Sequence, residues 1–134
     1  MSINDILYLK EADFSASKFF VDRIEEIYSI RSELKSIAKK HFISIESYRK
    51  FVRKELNLKN KIPLYFSSNL LLFNIRSGKT LYWINYFNIL KICFDDKAVV
   101  IFKNGDQLEL ETNKKILRSE IIKIKKILKY INML

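Results

Sequence analysis

Between Leu64 and Glu111 the apolar residues come in short runs separated by Ser, Asn, Gly and Asp, the spacing of short antiparallel strands. Leu64–Ser67 and Leu70–Ile75 read as two strands joined at Ser67 to Asn69. Arg76 to Thr80 reads as a loop around Gly78. Leu81–Phe94 reads as one long strand or two short ones, kinked between Asn85 and Asn88. Ala98–Phe102 and Gln107–Glu111 form the clearest hairpin, with Asn104-Gly105 suited to a type I′ turn. In its second strand Leu108 and Leu110 point one way, and Gln107, Glu109 and Glu111 the other.

The flanks follow a helical period. Phe20, Ile24, Ile27, Leu34 and Ala38 predict one long helix over Phe14–Phe42, capped at Ser15 or Ser17, or equally two helices broken at Ile27 to Ser32. Ile45, Tyr48, Val52 and Leu56 predict a second helix over Ile43–Asn57, with Ser44 as N-cap and Asn57 at its C-terminal end. Pro63 then forbids helix at Ile62 and marks the start of the sheet. Leu117, Ile121, Ile124, Leu128 and Ile131 give a packing stripe on a last helix that starts at Thr112 or Asn113. Ser2–Ala12 fits either a helix or an edge strand. The fold class is therefore α+β in one domain: residues 1–60 mainly helical, 61–112 an antiparallel sheet of five or six strands, open or closed as a barrel, and 113–134 a basic helix.

Charge adds a direction. The 134 residues carry 25 bases and 15 acids, a net +10. Residues 1–34 hold seven acids and four bases, whereas residues 35–134 hold eight acids and twenty-one bases. A lysine-rich composition alone spreads evenly, so the segregation favours a basic surface for a polyanion. Three patches stand out: Arg49, Lys50, Arg53 and Lys54 on the second helix, Arg76 and Lys79 on the Gly78 loop, and Lys103 with Asn104 on the hairpin turn. The lysines of the last helix read as a solvated face opposite its stripe, and the stripe packs on the sheet or forms a dimer seam.

Candidate chemistry is sparse. Cys93, the one cysteine, permits no internal disulfide and fits a reducing, cytoplasmic setting. No signal peptide and no membrane-spanning segment are expected. His41 is the one histidine and has no ligand-type partners in sequence. Gly78-Lys79-Thr80 resembles the tail of a phosphate-binding loop, but Phe73 stands where that motif needs its first glycine, and a strand follows. Asp95-Asp96, the one carboxylate pair considered for acid–base work, reads as a turn. No enzyme, cofactor or metal site is expected.

The sheet region resembles the ComK family of competence transcription factors. The resemblance rests on Lys61-Ile62-Pro63-Leu64, a strand ending at Phe73, a polar loop, Trp83-Ile84, Phe102-Lys103-Asn104-Gly105 and a terminal helix, over residues 61–130. Leu81 stands where that family carries a cysteine before the tryptophan. The resemblance implies a DNA-binding transcription regulator that takes AT-rich duplex through the minor groove and pairs or oligomerises. On that reading Arg76 and Lys79 enter the groove and the second helix holds phosphates. The alternative is a non-enzymatic interaction module or small inhibitor whose basic face meets an acidic or nucleic-acid-binding protein. The strand order ending in a helix also resembles small pleckstrin-homology-like barrels.

Overall fold

The first surprise lies in the N-terminal segment, where strands replace helix. The computed structural model describes residues 5–134; the Ser2–Ala12 reading therefore lies partly outside the described residues. Strand β1 (Ile6–Ala12) is an inner strand, paired with β2 (Ser15–Phe20) on one side and β6 (Thr80–Asn85) on the other. A short β3 (Ile24–Glu26) continues the meander. The period-3.6 reading of Phe14–Phe42 fails because the buried residues of β2 alternate: Ala16, Lys18 and Phe20 face inward. Lys18 is tolerated there because its Nζ lies 2.7 Å from Glu33 Oε2. Ile24, counted in the helical stripe, is 62% exposed. Helix begins only at α1 (Ile30–Lys40), with Ser29 as N-cap, inside the stretch of serines and β-branched residues that weakened the longer helix.

Helix α2 (Ile45–Leu56) is capped by Ser44 and ends on Asn57 in the left-handed conformation. The sheet then resumes with β4 (Leu64–Ser67), β5 (Leu70–Ser77) and β6. Of the two residues linking β5 to β6, only Gly78 has positive φ, the pattern of a type II′ hairpin. A strand follows Gly78-Lys79-Thr80, so the segment is no phosphate-binding loop. The six-stranded sheet runs β3-β2-β1-β6-β5-β4. Strand β5 is buried on both faces, which explains the unbroken run Leu70 to Phe73.

The chain then leaves this sheet. After β6 a single 3₁₀ turn (Tyr86–Asn88) breaks the strand, and β7 (Ile89–Phe94), β8 (Ala98–Phe102) and β9 (Gln107–Leu110) form a second sheet. Among the described residues, nine strands in two open sheets correct the single, barrel-capable sheet of five or six. The break is organised by Asn85, which is fully buried. Its Oδ1 accepts from Leu71 N at 3.2 Å and Phe87 N at 3.3 Å. Its Nδ2 donates to Ile6 O at 3.0 Å and Asn69 O at 3.1 Å. At the β8–β9 turn Asn104 does not have the positive φ that a type I′ turn needs. Phe102 N instead donates to Asp106 O across a three-residue loop, and Gly105 alone is left-handed, at φ +96°.

Helix α3 (Lys114–Asn132), capped by Asn113, closes one end. The packing stripe is rotated from the expected one: Leu117, Glu120, Ile124 and Ile127 are buried, while Ile121 and Leu128 are half-exposed. One core lies between the two sheets and α3, around Phe73, Ile84, Val100, Phe102, Leu117 and Ile124. A second lies under α1, around Leu9, Leu34, Ile37, Leu72 and Trp83. A third joins α2 to α3 through Val52, Leu58, Ile62 and Ile127.

Two half-buried tyrosines make a pH test of this packing. Tyr8 stacks on Phe19 at 4.4 Å and on Phe102 at 5.6 Å; burial, then Tyr82 and Asp106, push its phenol from 10.0 up to about 12. Tyr48 donates to Pro63 O at 2.7 Å and accepts from Tyr65 N at 3.2 Å; burial pushes it up to about 12, against the lowering effect of the Tyr65 N–H. The fold favours the neutral phenols, so this stabilisation is fully present below pH 10 and is lost as pH rises through about 12. Absorbance titration should show these tyrosines ionising together with loss of near-ultraviolet circular dichroism. Ionisation of all seven tyrosines near pH 10 in a folded protein would contradict the burial.

Candidate nucleic-acid interface

The expected basic residues divide among three places. Arg49 and Arg53 of α2 line a cleft with Arg31 and Lys35 of α1, over Leu81 and Trp83. Two acids, Glu11 and Glu46, share that cleft, and Glu11 Oε1 accepts the α1 N-terminal amide of Ile30 at 2.8 Å. The register pairs Arg76 with Leu81 and Leu81 with Glu11, so Arg76 projects from the same sheet face as Trp83. Arg76 is exposed, but Trp83 is only 5% exposed and serves as core beneath α1. It offers no face for stacking on a base. Lys50 and Lys54 stand exposed on α2.

Lys79 is separated from this group. It lines a small cleft with Lys97, Glu109 and Glu111, and Glu111 Oε2 would lie 3.3 Å from a Cβ placed on Gly78. Carboxylates at that position oppose a phosphate, so the geometry does not bring Lys79 to a common surface with Arg76. Asn104 is occupied with its own turn: Oδ1 accepts from Asp106 N at 3.1 Å and Nδ2 donates to Asp106 Oδ2 at 3.0 Å. Lys103 instead faces a groove against β7 and α3.

The densest basic surface centres on α3. One cleft, between α3 and residues 57–60, is lined by Lys59, Lys114, Lys115, Arg118, Lys123 and Lys126, with no carboxylate. Lys123 is a tether there: its Nζ donates to Asn60 O at 2.9 Å and to Glu120 Oε2 at 2.8 Å. The one acid of α3 is thus buried under the surface and spends its charge on Lys123, leaving the outer cations uncompensated. Arg53 Nε approaches Lys59 O at 3.5 Å, so the α2 arginines and the α3 cleft meet at the 57–60 loop. The result is a basic band running from Arg49 and Arg53 through Lys59 to Lys115, Arg118 and Lys126.

The sequence shows the α2 half of this band as a basic patch but reads the α3 lysines as a solvated face. The missing information was tertiary. Nothing in the spacing shows that Val52 and Leu58 pack on Ile127, which sets the two basic elements side by side. Among the described residues no three of His, Cys, Asp or Glu group as a metal site, and no helix is long and apolar enough to cross a membrane. No family model, curated protein or solved structure matches the chain.

Proposed function

We propose that this chain is a non-enzymatic DNA-binding regulator that lays the α2–α3 basic band along the phosphates of a duplex. The observation that carries the reading is the cleft between α3 and the 57–60 loop: six cations line it, five of them without an ion pair among the described residues, and no carboxylate does. An ordinary solvated helix face interleaves both signs. Here the acid has been withdrawn into the interior and the cations left outside. About six phosphate contacts give a binding constant that falls with salt at a log–log slope near −5. Arg76, exposed and without an ion pair among the described residues, is the side chain for a narrow AT-tract minor groove, where negative potential is concentrated.

Fluorescence anisotropy on AT-rich and GC-rich duplexes of equal length tests the reading. The expected result is tighter binding to the AT-rich duplex at both low and moderate salt, with Arg76→Ala reducing the preference and leaving the salt slope within about one unit. Equal and weak binding to both duplexes that vanishes at moderate salt would sink it.

A further inference from the structure

A second basic groove differs in kind from the DNA-facing band, because its floor is apolar. It lies between β7 and α3 and encloses about 550 Å³. Ile89, Ile92, Phe94, Leu117 and Ile121 line it. Leu117 is buried in the main core, while Ile89 and Ile92 are half-buried and pack against it, so the floor is part of the rigid interior. Phe94 is 38% exposed and Leu90, beside it, 63% exposed; these side chains stand open at the edge strand of the second sheet. Four cations line the groove from two elements, Lys103 on the β8–β9 turn and Lys114, Arg118 and Lys125 on α3; Lys91 also borders it, but its pairing with Ile101 sets it on the strand face opposite Ile92 and Phe94. No carboxylate lines it, and Lys114 Nζ lies 5.9 Å from the Phe94 ring centroid.

Phosphates of a duplex gain from the cations but nothing from the floor, so the band's function leaves the floor unexplained. An uncharged apolar molecule would use the floor and leave the cations idle. We infer that the groove between β7 and α3 binds a soluble amphiphilic anion, an aliphatic carboxylate or phosphate monoester. Its chain lies on Ile92, Ile121 and Phe94, and its head is held by Lys103 and Lys125, away from the Lys114 end of the groove. The volume falls in the usual range for small-molecule sites, and an apolar lining with a few convergent charges is their usual composition. Cations supplied by two elements flank one head group, whereas an acidic helix would ask for a row. The inference stands apart from the DNA reading, although Lys114 and Arg118 border both surfaces.

Isothermal titration of the full chain with dodecanoate below its micelle concentration is the test. The expected result is one site per chain, with dodecanol and dodecyltrimethylammonium binding at least ten-fold more weakly. The Lys103→Glu/Lys125→Glu variant should weaken dodecanoate at least ten-fold. Both residues are exposed and make no ion pair among the described residues, so its thermal unfolding should match the parent. Ile121→Glu, on a half-exposed position, should abolish binding. Equal affinity for the alcohol, indifference to both variants, or binding to phosphatidylglycerol vesicles without binding of the free anion would overturn the inference. So would a groove already filled by a second copy, seen as a dimer in sedimentation whose dissociation is required for any binding.

Discussion

Reversing charge at Lys115, Arg118 and Lys126 together is expected to lower duplex affinity by at least about 10²-fold at moderate salt. It should also flatten the salt slope by about 3 units, since each phosphate contact contributes close to one. The three side chains are exposed and make no ion pair among the described residues, so the fold should lose little, within about 0.5 kcal/mol per site. That separates a loss of surface function from a loss of structure. The same reversal at Lys79 and Lys97, which share a cleft with Glu109 and Glu111, should leave affinity within a few-fold of the parent. Comparable losses from both variants would mean that only net charge matters and that the band has no privileged place.

The largest effect on stability is expected at Asn85. Its side chain answers four buried or part-buried backbone groups at the point where β6 ends and the second sheet begins. Asn85→Leu keeps the branched heavy-atom skeleton but strands Leu71 N, Phe87 N and Asn69 O; Ile6 O retains Asn88 Nδ2 at 2.8 Å. Each orphaned buried group costs about 1–3 kcal/mol, so a total near 4 kcal/mol is expected. That is much of the stability of a typical domain. Urea unfolding should show the midpoint shift with little change in slope. Asn85→Asp keeps the acceptor for Leu71 N and Phe87 N but turns a carboxylate oxygen toward Ile6 O and Asn69 O, so it should be no better at neutral pH. A loss below about 1 kcal/mol for either variant would mean that the turn holds itself together by other means.

These residues also show what could be read from the chain and what could not. The strands from Leu64 onward were legible because turn residues punctuate them and because β9 alternates cleanly. The α2 caps were legible because Ser44 and Asn57 carry their conformational preferences locally. The N-terminal meander was not legible. Its inward residues include Lys18, whose burial depends on Glu33 from a helix not yet formed in any local reading. The break between the sheets showed only as a kink near Asn85, since four partners scattered between Ile6 and Phe87 give that asparagine its meaning. On α3 a count of apolar spacings chose Ile121, whereas the structure buries Glu120 because Lys123 can neutralise it there. That rotation turns Ile121 toward the groove beneath Phe94. It also leaves Lys115, Arg118 and Lys126 facing out beside Lys59.

The most direct measurement is lysine acetylation of the full chain, free and saturated with an AT-rich duplex, read residue by residue by mass spectrometry. The expected result is strong protection of Lys59, Lys115 and Lys126, partial protection of Lys50 and Lys54, and unchanged labelling of Lys79 and Lys97. Protection centred on Lys79 or Lys97, or spread evenly over every lysine, would contradict the placement of DNA on the α2–α3 band.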